Sequence, residues 1–260
     1  MNTLIKLFSL FSKKNPEVEQ ILQDAIDETY SDFKYETPID KKPSEKIIVD
    51  VPQNPYTFDF TYEKFSRIVI NSESEEWFDA LYFILPEYKI NTPERVAGFL
   101  AQTGHESSDF TDIEENLKYS AQGLRKTFPR RFASVVAAKP FAKNPQLTAN
   151  KIYGGRMGNG PEEGWKFRGR GPIQITGKSN YIQCSKFLFK DLRLVNDPDL
   201  ILTSKEICIR SACWFWSFRN INKTCDKNDV VKMTKLINGG TIGLADRKVR
   251  FTKALFILKS

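Results

Sequence analysis

The chain has one histidine, His105, and four cysteines, Cys184, Cys208, Cys213 and Cys225. No two cysteines stand in a CxxC pair, and one imidazole is too few for the usual zinc-binding patterns. Cys184, Cys208 and Cys213 lie among apolar neighbours and read as small core residues. Free thiols and synthesis in a reducing compartment are therefore expected. No apolar run is long enough to cross a bilayer, so no transmembrane segment is expected. The opening MNTLIKLFSLFSKK is broken by Lys6 and two serines and is followed by no small-residue cleavage site, which argues against a signal peptide.

Aromatic residues are plentiful, with 20 phenylalanines in 260 residues, and apolar residues make up 40% of the chain. A packed core is expected, of a size that suits one domain and an appendage. Charge is uneven. Residues 1–56 hold 7 Lys and Arg against 10 Asp and Glu, and the other residues hold 32 against 22. A basic body fits an anionic partner, whether nucleic acid, acidic lipid or a bacterial wall polymer, and it also fits a plain lysine-rich protein.

Leu4, Leu7, Phe8 and Phe11 fall on one helical face, and Val18, Ile21, Leu22, Ala25 and Ile26 form a second, acidic amphipathic pattern. Pro38, Pro43, Pro52 and Pro55 then mark an extended linker. The predicted organisation is a helical extension over 1–33, a linker over 34–56 and a body over 57–260. The extension has two uses open to it: packing on the body or docking in a partner's groove. The body is predicted to be mainly α. Thr92, Pro93 and Glu94 form a strong helix start, Ser120 caps a helix that stops at Pro129, and PQLTANKIY is a short helix. KSNYIQCSKFLFK, SKEICIRSACWFWSF, DVVKMTKLI and LADRKVRFTKALFIL read as further helices, with Trp214, Phe215 and Trp216 in the core. Only KFRGRGPIQIT offers a small hairpin. Its glycines lack the GK[ST] ending of a phosphate loop.

Val96, Phe99, Leu100 and Thr103 share one face of the helix that begins at Pro93, and Glu106 continues that face at its end. A carboxyl tucked there loses hydration, which favours its protonated form and suits a general acid. The same position also fits a helix end fraying into water. Glu114 and Glu115 follow in a polar loop, where a carboxylate is expected to stay wet and ionised. One acid and one ionised base on separate elements is the arrangement that glycoside hydrolysis needs, and surface charge is the plainer alternative.

The motifs AQTGHESSDFTDIEENLKYSAQGL, FRGRGPIQITGKSNY, INGG and ADR stand in order along the chain, with FPRRF and NKIYGGRMGNG between them. This series resembles glycoside hydrolase family 19 over roughly residues 57–260, in the lysozyme-like branch found in phage endolysins and related bacterial proteins. The resemblance implies a lysozyme-like, two-lobed helical domain with a catalytic cleft. It implies Glu106 as general acid, Glu115 as general base, with Glu114 the fallback, and Thr176 as the residue that holds the attacking water. It implies sugar contacts from Gln174, Asn180, Tyr181 and Asn238, and His105 lining the cleft. Arg247 is implied beside the base, keeping it ionised.

The stretch after INGG is short and lacks the extra glutamate of plant chitinases, and their disulfide-rich pattern is absent. The expectation is therefore a peptidoglycan-degrading, inverting glycosidase that uses no metal or cofactor, with a chitinase or a non-catalytic wall binder as alternatives. Nucleic acid is not an expected partner. Synthesis in the host cytoplasm and action on the wall are expected. Residues 1–33 suggest attachment to a phage particle.

Overall fold

The computed structural model describes residues 54–260. The expected extension over 1–33 and all but the end of the expected linker lie outside the described residues. The longer helices form where the apolar spacing and capping residues predict them, and short ones join them. They are α1 (Tyr62–Ile68), α2 (Ser74–Ile84), α3 (Pro93–Ser107), α4 (Ala121–Thr127), α5 (Val135–Ala138), α6 (Pro145–Tyr153), α7 (Lys178–Phe189), α8 (Arg193–Asn196), α9 (Leu200–Thr203), α10 (Lys205–Phe218), α11 (Asn222–Cys225), α12 (Val230–Asn238) and α13 (Leu244–Lys259). Thr92 and Ser120 accept from the backbone N–H of Arg95 and Gly123, which makes them the predicted N-caps. The predicted hairpin shrinks to isolated antiparallel bridges, Glu114 with Arg170 and Arg170 with Ile175. The short helices α5, α8, α9 and α11 carry too few turns to print a periodicity on the sequence.

Two separate apolar cores divide the described residues into lobes. The larger gathers α1–α3 and α7–α13 around α3, which is buried on nearly every side from Val96 to Gly104. Gly98 is where α3 meets α11: a Cβ there would stand 2.6 Å from the Cys225 sulfur. Phe99 meets Trp216 of α10 edge-on at 5.2 Å, and α13 packs along α3. All four cysteines are buried free thiols, and burial pushes the Cys208 thiol up to about 12. The smaller core is made by Leu117, Ala121, Leu124, Phe128, Phe132, Ala138, Ala149, Ile152 and Tyr153, from α4, α5, α6 and the segments that flank them. Ile113 packs on the large core and Leu117 belongs to the small one, so Glu115 stands where the chain crosses between lobes.

Candidate active site

The crossing begins with an unusual turn. α3 ends at Ser107, and the next three residues, Ser108, Asp109 and Phe110, all have positive φ (49°, 57° and 67°). A run of left-handed residues without glycine is costly, so other contacts must hold it. Phe110 is buried and stacks on Trp77 at 5.1 Å. Asp109 accepts from Arg250 at 2.6 Å, and its carbonyl accepts from Asn71 at 2.7 Å. The turn folds the chain back, with the Asp112 N–H donating to Ser107 O at 2.8 Å. The chain then runs beside residues 169–171: Gly171 N donates to Ile113 O at 2.7 Å and Glu115 N to Gly169 O at 3.0 Å.

Glu115 is 7% exposed. One carboxylate oxygen accepts from the Tyr153 hydroxyl at 2.5 Å and the other from Gly169 N at 3.2 Å. This overturns the expectation of a wet loop carboxylate: the small lobe closes over it. Tyr153 is the residue that sequence reasoning missed. Burial, and then the Glu115 charge, push its phenol well above its ordinary pKa, so it stays a donor. The position of Tyr153 at the end of the PQLTANKIY helix was visible, but its partner 38 residues away was not.

Thr176 and Gln174 converge on the same point. A Cβ on Gly169 would stand 2.6 Å from Gln174 Oε1 and 3.2 Å from both Thr176 Oγ1 and the Glu115 Cβ. Glycine is required there because three side chains crowd in. The Thr176 hydroxyl donates to Gln174 O at 2.9 Å, which leaves its lone pairs able to accept from a water. The loop is anchored by two arginines that sequence reasoning also passed over while weighing the glycines of GRGP. Arg170, 1% exposed, donates to Asp199, to the Tyr181 hydroxyl and to the carbonyls of Lys166 and Arg168. Arg168 lies 4.0 Å over the Trp165 ring and pairs with Glu114 at 2.5 Å and Asp199 at 3.2 Å. Glu114 is half-exposed and spent on Arg168, so the fallback assignment loses its geometric basis.

Glu106 sits at the other end of the turn. Its Oε1 accepts from Nη2 of Arg247, and Nη1 of that guanidinium donates to Gln102 Oε1 at 2.5 Å. Arg247 is 1% exposed. Two expectations change here. Arg247 was expected beside Glu115 and is found on Glu106. Glu106 was expected against apolar neighbours alone and is ion-paired instead. The reason is helical register: Arg247 points from α13 into its contact with α3, where Gln102 and Glu106 stand one turn apart and both accept from its guanidinium. His105, the residue before Glu106, bonds through Nδ1 to Asp246 at 2.6 Å, also across the contact between α3 and α13. Burial pushes the Asp246 carboxyl up, but hydrogen bonds from His105 and Arg250 outweigh it and its pKa is lowered. A hollow of about 210 Å³ lies beside Asp246, between α1, α3 and α13.

The remaining predicted sugar contacts are mostly occupied by the fold. Tyr181 is fully buried, its hydroxyl donating to Arg168 O at 2.8 Å, so its ring is part of the core and does not line the cleft. Asn180 donates to Thr176 O at 2.8 Å. Asn238 donates to Ile242 O and accepts from Gly240 N, both at 2.8 Å, which pins the INGG turn. Among the described residues no cluster of His, Cys, Asp and Glu is suited to a metal ion.

The sequence profile described as chitinase class I, of glycoside hydrolase family 19, matches residues 87–236. The chain belongs to glycoside hydrolase family 19. A Haemophilus influenzae protein named for a glycosyl hydrolase family 19 domain is 41% identical over 164 residues, 62% of this chain and 78% of that protein. An Arabidopsis thaliana endochitinase is 33% identical over 59% of this chain, and the match spans 42% of that enzyme's own length. In fold, the family 19 chain resembles chitinase C from Streptomyces griseus, with a TM-score of 0.53 at 18% identity over 77% of this chain and 92% of that one. Its class of chemistry is that of a glycosidase, on the helical, lysozyme-like fold expected from the motifs.

Proposed function

We propose that this family 19 glycosidase hydrolyses the β-1,4 links of peptidoglycan with inversion at the anomeric carbon. The observation that carries the mechanism is the grip on Glu115, whose two oxygens accept from Tyr153 and Gly169 while Thr176 crowds the same glycine. A water accepted by the Thr176 hydroxyl attacks the anomeric carbon and gives its proton to Glu115. The glycosidic C–O bond breaks, and Glu106 protonates the leaving oxygen. Arg247 engages Oε1 of Glu106, which leaves Oε2 as the oxygen to carry the proton. Inverting pairs stand about 6.5–9.5 Å apart, and the mechanism requires Glu106 and Glu115 to stand in that range. No metal or cofactor takes part. Gln174 is the sugar-facing amide, and His105 and Asp246 flank the acid.

The shortened stretch after INGG and the basic body favour peptidoglycan. Chitin is the second reading, favoured by the endochitinase names of the relatives. The proposal extends to the setting: cytoplasmic synthesis in an infected host, action on the wall and attachment to a phage particle through residues 1–33. The decisive experiment is digestion of purified peptidoglycan and of chitin by the wild type and by Glu106→Gln, with mass spectrometry of the fragments. Muropeptides released by the wild type alone support the reading. Cleavage of chitin with intact peptidoglycan sinks it in favour of chitinase, and wall binding with no cleavage by either protein leaves a wall-binding protein.

A further inference from the structure

Helix α7 starts without a cap of its own. Gly177 stands at its N-cap position, with φ of 90°, and offers no side chain, so the first N–H groups of α7 need acceptors from elsewhere. They find them in residues 157–159. Lys178 N donates to Asn159 Oδ1 at 2.8 Å, and Ser179 N donates to Met157 O at 3.0 Å. The approach is close: a Cβ on Gly158 would stand 2.4 Å from Ser179 Oγ. Met157 packs on the small core and Tyr181 of α7 belongs to the large one, so this junction joins the lobes.

Asn159 is the polar centre of the junction. It is 6% exposed, and its amide is used on both sides: Nδ2 donates to Tyr153 O at 3.0 Å while Oδ1 accepts from Lys178 N. A buried amide left half-paired is costly, so each bond supports the other. Tyr153 is the donor to Glu115, at 2.5 Å. Lys178 follows Thr176 by two residues, and the Thr176 carbonyl accepts from Asn180 of α7 at 2.8 Å. One amide therefore stands between the donor to the proposed base and the residue proposed to hold the water. A second fastening lies nearby and differs in kind. Lys178 Nζ pairs with Glu163 at 2.9 Å, both side chains are half-buried, and the ammonium makes no hydrogen bond to Tyr153 or Thr176.

We propose that Asn159 is a positioning residue for the hydrolysis: it fixes the gap between Tyr153, at the end of α6, and Thr176, ahead of α7, and so holds Glu115 against the water that it activates. This rests on the glycosidase reading and deepens it by adding a residue that touches neither substrate nor water. Orientation of this kind is worth much in rate, because small misplacements of reacting groups are expensive. An amide that only stabilised the fold would change the melting temperature and leave the titration of Glu115 where it is.

The test uses the full chain as wild type, Asn159→Ala, Tyr153→Phe, the double variant of these two, and Lys178→Gln/Glu163→Gln. The first readout needs no turnover. It is the titration of the Glu115 carboxyl, followed by carbon NMR in glutamate-labelled protein and assigned by the signal lost in Glu115→Gln. Asn159→Ala is expected to move that titration to higher pH, in the same direction as Tyr153→Phe, because a carboxylate whose donor is loosened is protonated more readily. Lys178→Gln/Glu163→Gln is expected to melt earlier and leave it in place. The second readout is hydrolysis of whichever polymer the wild type cuts. Asn159→Ala is expected to lower kcat about tenfold with KM within about twofold. The double variant should lose less than the product of the two single losses, since both act through one hydroxyl. A folded Asn159→Ala with the wild-type Glu115 titration overturns the proposal. So do losses that multiply in the double variant, or an equal shift in Lys178→Gln/Glu163→Gln. If Asn159→Ala does not fold, Asn159→Ser is read in the same way. A wild type that cuts neither polymer refutes the glycosidase reading alone, and the Glu115 titration still decides the role of Asn159. Glycan cut by Asn159→Ala at the wild-type rate and with the wild-type pH profile refutes the positioning role alone.

Discussion

The two lobes solve different problems. The large lobe is a thick core around one buried helix, and its charges are cross-linked: Arg95 to Asp226, Arg210 to Glu87, Arg247 to Glu106 and Arg250 to both Asp109 and Asp246. The small lobe has nine buried core residues, short helices, and nine cations with no acid over residues 116–161. Rigidity belongs to the first and electrostatic reach to the second. Glu115 belongs to neither core but is gripped by both, through Tyr153 on one side and Gly169 on the other. The lesson is that a catalytic carboxylate can be oriented by the junction itself, so that the relative placement of the lobes becomes part of its geometry.

The largest effect expected from breaking this arrangement is chemical. Glu115→Gln and Glu106→Gln should each lower glycan hydrolysis by about 10²–10⁴-fold, measured by release of reducing ends, with unchanged circular dichroism. If Glu114→Gln caused the larger loss, the junction carboxylate would have been misassigned.

Next in size is the core of each lobe. Phe132→Ala and Phe99→Ala should each cost about 3–5 kcal/mol. Phe132 meets Phe141 edge-on at 5.3 Å and Phe99 meets Trp216 at 5.2 Å. In the thin lobe the damage should stay local. Hydrogen exchange should speed up over residues 117–153 in Phe132→Ala while α3 and α13 keep their protection. Equal loss of protection in both lobes would show that they unfold as one unit.

Tyr153→Phe sharpens the comparison further. It removes one hydrogen bond to a carboxylate, worth about 1.5–3 kcal/mol, and should lower kcat about ten- to a hundredfold. KM should change little, and the acidic limb of the pH–rate profile should move to higher pH, because a carboxylate that loses a donor is protonated more readily. A variant that merely melts earlier with an unchanged profile would make the hydroxyl structural only.

The smallest effect is on the pH limits of stability. Asp199 is pushed up by burial but lowered on balance by Arg170 and Arg168. A lowered carboxylate contributes above its unfolded value, about 3.9, and that contribution is lost as pH falls through its folded value. Tyr153 and Tyr181 are raised by burial. They retain protons that the unfolded chain gives up above about pH 10. The four buried thiols are raised by burial too, so stability should be flat through neutrality, weaken modestly below about pH 4, begin to fall above about pH 8.5 where unfolded thiols ionise, and fall further above about pH 10, in thermal melts taken across that range.

What the sequence by itself determined was local. Thr92, Pro93 and Ser120 announce their helices by capping chemistry, the apolar spacing of α3 announces which face is buried, and Trp214 and Trp216 lie in the core as expected. The ordered motifs were enough to name the family. What only the tertiary structure decided was the company each charge keeps. Glu106 meets Arg247 across 141 residues, Glu115 meets Tyr153 across 38, and Arg168 meets Glu114 across 54. Helix periodicity is a property of neighbours a few positions apart, so it can be read along the chain. The desolvation and pairing of a carboxylate depend on groups brought in from distant segments, and no local pattern specifies which of them will arrive.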